Sequence, residues 1–362
     1  MYDFKKVEQF LDDVIALGVP GCQVQVKKGH ETLFCARRGE GSFDSRYFLY
    51  SCSKVMTVTG MMRLIEQGRA SLEDPVSRYV SAFRDVFIEK DGIPCPPEKE
   101  MTLRHLFTMT AGLDYDLSAP GILEAVQKSG TTFDVVSAFP KKALSFSPGN
   151  RYQYSLCHDV LGAVIESITG MTFGDYMQKE IFAPLGMKGT SFLPDGTMAP
   201  QYCFDTEKRK YIPHPLTCAY RLSPIYHSGG AGIISTLEDM SRFAAALTCG
   251  KGPDGYHLLN RESIDLLRKE QLSSVAKDPS FGCCMGPGYG YALGLRTLVE
   301  KSQGQKSPIG EFGWDGAAGS FILCDPQNDV SVVYTMHVLN WYGIRDVFHV
   351  PLRDAVYDAL NL

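Results

Sequence analysis

An α+β fold is predicted for this 362-residue chain: an antiparallel sheet flanked by the N- and C-terminal helices, with a mainly helical block inserted. Three features predict it. Helical periodicity stands at both ends of the chain. Short β-type runs lie just inside those ends. Between them, from about Asp74 to Leu222, the patterns are mainly helical and broken by Pro and Gly turns. The expected division is therefore 1–73 with 225–362 as the sheet-bearing part and 74–224 as a helical subdomain, with the active site between them.

The elements follow in order. Phe4, Val7, Phe10, Leu11, Val14 and Ile15 recur at helical spacing and describe an amphipathic first helix. Gln23 to Lys28 and Thr32 to Arg37 alternate, and Gly29 between them marks a hairpin turn. Tyr47-Phe48-Leu49-Tyr50 leads into Ser51. Val55, Val58, Met62 and Ile65 then mark a helix that stops at Gly68. Leu161 to Ile168 belong to an amphipathic helix ending at Gly170. Phe321 to Leu323 and Val330 to Val333 read as strands with Asp325-Pro326 in the turn between, and Leu352 to Leu360 closes the chain as a helix.

Composition narrows the function classes. Hydrophobic residues make up 44% and charged residues 21%, so a chain of this length can bury a large core without a metal or disulfide. A net charge of −5 and the lack of any Lys/Arg run argue against a nucleic-acid partner. The eleven cysteines form no Cys-x-x-Cys pair and no zinc spacing; Cys283-Cys284 is the one adjacent pair, and an odd count leaves a thiol unpaired. They read as reduced thiols of a cytosolic protein. Asp3, Glu8, Asp12 and Asp13 interrupt the N-terminal apolar positions, so no secretory signal is present, and no stretch approaches a membrane span. A cytoplasmic location is expected, although removal of a leader would leave the same start. No metal or organic cofactor is expected: there is no Walker loop, no His-Glu-x-x-His and no Gly-x-Gly-x-x-Gly after a strand. The Gly-x-Ser-x-Gly elbow of α/β-hydrolases is also absent.

Ser51-Cys52-Ser53-Lys54 carries the chemistry. Positions i and i+3 share a helix face, so a lysine amine there reaches a serine hydroxyl. A serine hydroxyl is a poor nucleophile without such a base, and a helix N-terminus favours a developing oxyanion. The spacing alone is weak, because Ser274-Val275-Ala276-Lys277 repeats it in a polar stretch with no apolar helix after it. Two further segments add weight. Tyr152-Gln153-Tyr154 follows the turn signal Ser147-Pro148-Gly149. Glu311 to Ser320, rich in glycine and containing Trp314-Asp315-Gly316, leads into a strand, where a substrate could approach the backbone closely.

Read together, these segments resemble the serine β-lactamase and penicillin-binding superfamily, in its class C-like branch with the family VIII carboxylesterases. Leu49 to Lys54 resembles its first motif, Tyr154 falls on the tyrosine of the second, and Trp314-Asp315-Gly316 lies where the third is found. Glu73 to Val76, Thr102 to Leu106 with Ala111 to Leu113, and Gly229 to Thr236 with Asp239-Met240 resemble other landmarks, in the same order. The resemblance implies a β-lactamase/transpeptidase-like fold. It also implies a mechanism in which Ser51 attacks a carbonyl, Lys54 and Tyr154 pass its proton to the leaving group, and the backbone N–H groups of Ser51 and Ala317 form the oxyanion hole. Free tyrosine and lysine titrate near 10 and 10.4, so a tyrosinate at neutral pH needs a neighbouring cation, which Lys54 would supply.

The chain departs from the family at two places. Leu156 stands where the second motif usually carries asparagine, and Trp314 stands where the third usually carries Lys or His. Both changes remove polar recognition of a β-lactam or a D-alanyl peptide; indole is neutral and donates one hydrogen bond. The Trp-x-Gly form resembles the esterase members. The expected function is a carboxylesterase-like serine hydrolase acting on small esters or amides, with acyl transfer to an alcohol as a variant of the same chemistry. The alternatives are a D-alanyl carboxypeptidase or weak β-lactamase, and a catalytically silent binding protein. Trp314, Asp315, Gly316, Leu156 and His158 are the candidate substrate contacts. Against them stand plainer roles: Trp314 as core filler, Asp315 as a turn residue, His158 as a helix cap. Cys52 is expected to point into the helix-packing face. Oligomeric state is not legible.

Overall fold

The computed structural model describes residues 2–128, 130–277, 285–302, 305–341, 343 and 345–362; Cys283-Cys284 lies outside them. Strands from both ends of the chain build one antiparallel sheet. Its strands are β1 (Gly21–Lys28), β2 (Glu31–Gly39), β3 (Tyr289–Tyr291), β4 (Arg296–Leu298), β5 (Phe312–Asp315), β6 (Phe321–Asp325) and β7 (Val330–Met336). They lie in the order β3-β4-β5-β6-β7-β1-β2. The N-terminal hairpin joins the C-terminal meander where Cys22 faces Met336 and Lys28 faces Val330. Gly29 makes the hairpin turn at φ +54°, a conformation that favours glycine.

Helices α1 (Lys5–Ala16) and α5 (Val350–Leu360) cover one face. Val7, Phe10, Leu11 and Val14 from α1 meet Leu352, Val356 and Tyr357 from α5 over Val24, Val26, Leu323 and Val332, as the amphipathic spacing requires. The alternation in β1 is real, yet its polar set does not face water. Gln23, Gln25 and Lys27 are buried on the opposite face; Gln25 and Lys27 reach Glu238 at the start of α4 (Leu237–Cys249). Both faces of the sheet are therefore covered.

Two further helices carry the centre of the molecule: α2 (Ser53–Glu66) and α3 (Cys157–Thr169). α2 is buried nearly all round, its polar Ser53, Lys54, Thr57, Thr59 and Arg63 included. Gly60 lets it approach its neighbours, since a Cβ there would lie 2.9 Å from the Met177 sulfur. α3 ends at Gly170 with φ +70°, the left-handed cap expected of a glycine. The stretch 74–222 contains short helices as predicted. It also holds two hairpins that its helical patterning did not suggest, Ile88–Lys90 with Ile93–Cys95 and Gln201–Asp205 with Lys210–His214. The second pairs with Val338–Leu339, a long-range contact no local pattern announces. Among the described residues, no helix is long and apolar enough to cross a membrane.

Candidate active site

Ser51 is delivered by a strand and held by a strained turn. Tyr47–Phe48 pairs antiparallel with Ile234–Ser235, and Leu49 N–H donates to Ile233 C=O at 3.0 Å. A 3₁₀ turn over Tyr50–Cys52 then runs into α2. Tyr50 takes φ +47°, costly for a bulky residue. The cost is offset by fixed contacts: its hydroxyl lies 2.6 Å from the Gln201 amide and its ring packs edge-on to Phe48. The turn leaves Ser51 half-buried at the start of α2, with Lys54 one turn on.

Lys54 is fully buried, and its amine lies 3.1 Å from Ser51 Oγ. It also donates to the Tyr115 hydroxyl at 3.0 Å and to the Gly230 carbonyl at 2.7 Å. The Gly230 loop is fixed from below by Asp159, whose Oδ1 accepts from Tyr226 at 2.7 Å and from Ser228 at 2.6 Å. A Cβ on Gly230 would lie 2.6 Å from Asp159 Oδ2 and 3.4 Å from Lys54 Nζ, so only glycine fits. Burial raises the Asp159 carboxyl above the ordinary range, against the lowering pull of Ser228, Tyr226 and Lys54.

Tyr154 arrives just before α3, and its ring stands over the Lys54 amine at 4.7 Å. Trp314, only 4% exposed, donates its indole N–H to the Tyr154 hydroxyl at 3.1 Å and stacks on the ring at 5.7 Å. Tyr115 packs against Tyr154 from another side, with centroids 5.7 Å apart. Burial, then the neighbouring Tyr154 and Asp159, push the Tyr115 phenol well above its usual range, so it stays protonated.

The segment bearing Ala317 lies beside the Ser51 turn. The Cys52 thiol donates to Trp314 C=O at 3.5 Å. A Cβ on Gly316 would lie 2.3 Å from Leu49 C=O. Ala317 itself is exposed in the turn between β5 and β6. Cys52 is buried in the core, its thiol pushed far up by burial and then Asp315.

Three of the candidate contacts fall elsewhere. Asp315 turns away to Arg296 at 2.6 Å and His349 at 3.4 Å. Burial alone would raise its carboxyl, but Arg296 and then His349 hold it well below the carboxylate range. His158 is 0% exposed and neither lines the cleft nor caps α3, whose N-cap is Leu156 without a side-chain bond. Burial, then Lys54, push its imidazole well below the usual value. Leu156 faces a small separate cavity with Leu113, Ile122 and Phe139. The repeated motif is not helical: Ser274 lies in a turn and Ala276–Lys277 pairs in parallel with Arg151–Tyr152, so Ser274 and Lys277 do not share a helical turn. Among the described residues, no three His, Cys, Asp or Glu side chains gather as a metal site needs.

Ser51, Lys54, Tyr154 and Trp314 are thus brought together from distant parts of the chain. Sequence reasoning missed Tyr115, Gly230 and Asp159. The glycine run around Gly230 and the acidic residue five after Tyr154 carried the signal for two of them; Tyr115 had none. A hydroxyl within hydrogen-bond reach of an amine, next to phenols and a backbone turn, is what nucleophilic acyl transfer requires.

Esterase EstB from Burkholderia gladioli is 28% identical over 342 residues, 87% of this chain and 82% of that protein. The structure of EstCE1, described as a hydrolase with promiscuous acyltransferase activity, superposes with a TM-score of 0.81 at 26% identity, covering 98% of each chain. Unliganded simvastatin synthase LovD from Aspergillus terreus shares the fold with a TM-score of 0.81 at 20% identity, covering 97% of each chain. The family model described as Beta-lactamase matches residues 5–347, and the chain belongs to that family.

Proposed function

We propose that this protein is a carboxylesterase-like serine hydrolase that acylates itself on Ser51. The observation that carries the reading is the Lys54 amine 3.1 Å from Ser51 Oγ and beneath the Tyr154 ring. Ser51 Oγ attacks the ester carbonyl while Tyr154, with the Lys54 charge beside it, takes its proton and returns it to the leaving alkoxide. The backbone N–H groups of Ser51 and Ala317 receive the oxyanion. Water, or an alcohol, then enters with its proton moving back along the same groups, and the acyl group leaves Ser51. Hydrolysis and acyl transfer share this acyl-enzyme, and the likeness to EstCE1 supports both.

The substrate is a small neutral ester. Trp314 occupies the place of the family's cation, and its N–H is engaged by Tyr154 rather than by a substrate carboxylate. The likeness to esterase EstB supports esters over lactams. The molecule divides at 1–73 with 225–362 and at 74–224. Ser51, Lys54, Gly230 and Trp314 come from the first part and Tyr115 and Tyr154 from the second, so the site lies between them.

A series of p-nitrophenyl esters of graded chain length, run beside nitrocefin, tests the reading. Turnover of esters with little or none of nitrocefin is expected. Nitrocefin turnover exceeding that of every ester would overturn the ester assignment.

A further inference from the structure

The Lys54 side chain has four rotatable bonds and ends in a buried amine, so something must aim it. Its amine reaches oxygens from three separate segments: Ser51 from the α2 entrance, Gly230 from the loop above Asp159, and Tyr115 from the 74–224 stretch. Gly230 offers a backbone carbonyl that no side-chain change can remove. Tyr115 offers a hydroxyl 3.0 Å away, held by ring contacts to Tyr154 at 5.7 Å and Tyr220 at 5.6 Å.

We propose that Tyr115 is a positioning residue of the reaction, whose hydroxyl holds the Lys54 amine between Ser51 and Gly230 and so keeps its charge under the Tyr154 ring. The inference rests on the acyl-enzyme reading above. Tyr115 does not itself take the serine proton. Its phenol remains protonated at neutral pH, because burial and then Tyr154 and Asp159 disfavour its anion. Its oxygen therefore serves as a fixed acceptor for a Lys54 N–H. The two phenols beside one amine have different work: Tyr154, supported by the Trp314 N–H, moves protons, and Tyr115 holds the amine that makes this possible. Losing a hydrogen bond to a charged group weakens the charged form and frees the side chain to turn.

The test is Tyr115→Phe, which keeps the ring contacts and removes only the oxygen. With a p-nitrophenyl ester, kcat is expected to fall by about 10–100-fold, while KM stays within about twofold and Tm is unchanged. The rate of fluorophosphonate labelling at Ser51 should fall in parallel, since both need an activated hydroxyl. Tyr220→Phe removes a hydroxyl from the same aromatic cluster without touching Lys54 and should leave kcat and labelling as they are. Unchanged kcat in Tyr115→Phe overturns the proposal, as does a loss matched by Tyr220→Phe or accompanied by a large fall in Tm. If the native protein itself is not labelled at Ser51, the acyl-enzyme reading fails and takes this one with it. Labelling of the native protein with an indifferent Tyr115→Phe sinks this inference alone.

Discussion

At the scale of single residues, the proposed chemistry rests on three side chains and its tuning on the groups that hold them. Ser51→Ala should abolish ester turnover, and Tyr154→Phe should lower kcat by roughly 10²–10⁴, the range of a general acid–base group. Trp314 offers a sharper test. Trp314→Phe keeps the stack on Tyr154 but removes the N–H donated to its hydroxyl, and kcat should fall about tenfold, the value of one such bond. Steady-state kinetics checks all three. The Ser-x-x-Lys spacing made Ser51 and Lys54 readable, because a helical turn alone dictates their approach. The buried surroundings of Asp315 and His158 were not readable. Whether a polar side chain faces a cleft or a buried arginine depends on which distant strand lies beneath it, and Arg296 sits 19 residues before Asp315 on a neighbouring strand.

At the scale of elements, the site depends on backbones that approach too closely for side chains. Gly316 sits against Leu49 C=O, joining the turn that holds Ala317 to the turn that holds Ser51. Gly316→Ala would drive a Cβ to 2.3 Å from that carbonyl, so the two turns must separate. Overpacking of this kind costs about 1–3 kcal/mol, and kcat should fall further than Tm alone accounts for, because the proposed oxyanion donors of Ser51 and Ala317 move apart. Thermal unfolding beside kinetics separates the two effects. Periodicity revealed α1, α2, α3 and the terminal strands, whose apolar faces repeat over several turns. It missed the Gln201–Asp205 and Lys210–His214 hairpin, whose strands are short and half-exposed and gain their pairing from Val338–Leu339. That hairpin supplies Gln201, which anchors the strained Tyr50 next to the nucleophile.

At the scale of the whole molecule, one sheet built from both chain ends carries buried charge. Asp315 between Arg296 and His349 has a carboxyl well below its unfolded value near 3.9. Its contribution to stability is therefore fully present above about pH 5 and lost as pH falls through the folded value. Arg296→Met leaves that carboxylate buried without its closest partner. Breaking such a pair costs about 3–5 kcal/mol, so Tm at pH 7 should drop by several degrees and acid unfolding should begin at higher pH. Circular dichroism across pH 2–8 reads both. The α+β architecture was legible from the order of elements, but the covering of both sheet faces was not, since Gln23, Gln25 and Lys27 look like a solvated edge in sequence. The central claim, that Ser51 is primed for acylation, is met most directly by intact-mass spectrometry after exposure to a fluorophosphonate, with peptide mapping of the adduct. One adduct on Ser51, lost in Ser51→Ala and kept in Ser274→Ala, is predicted. An adduct on Ser274, or no adduct on any serine of the folded protein, would contradict the account.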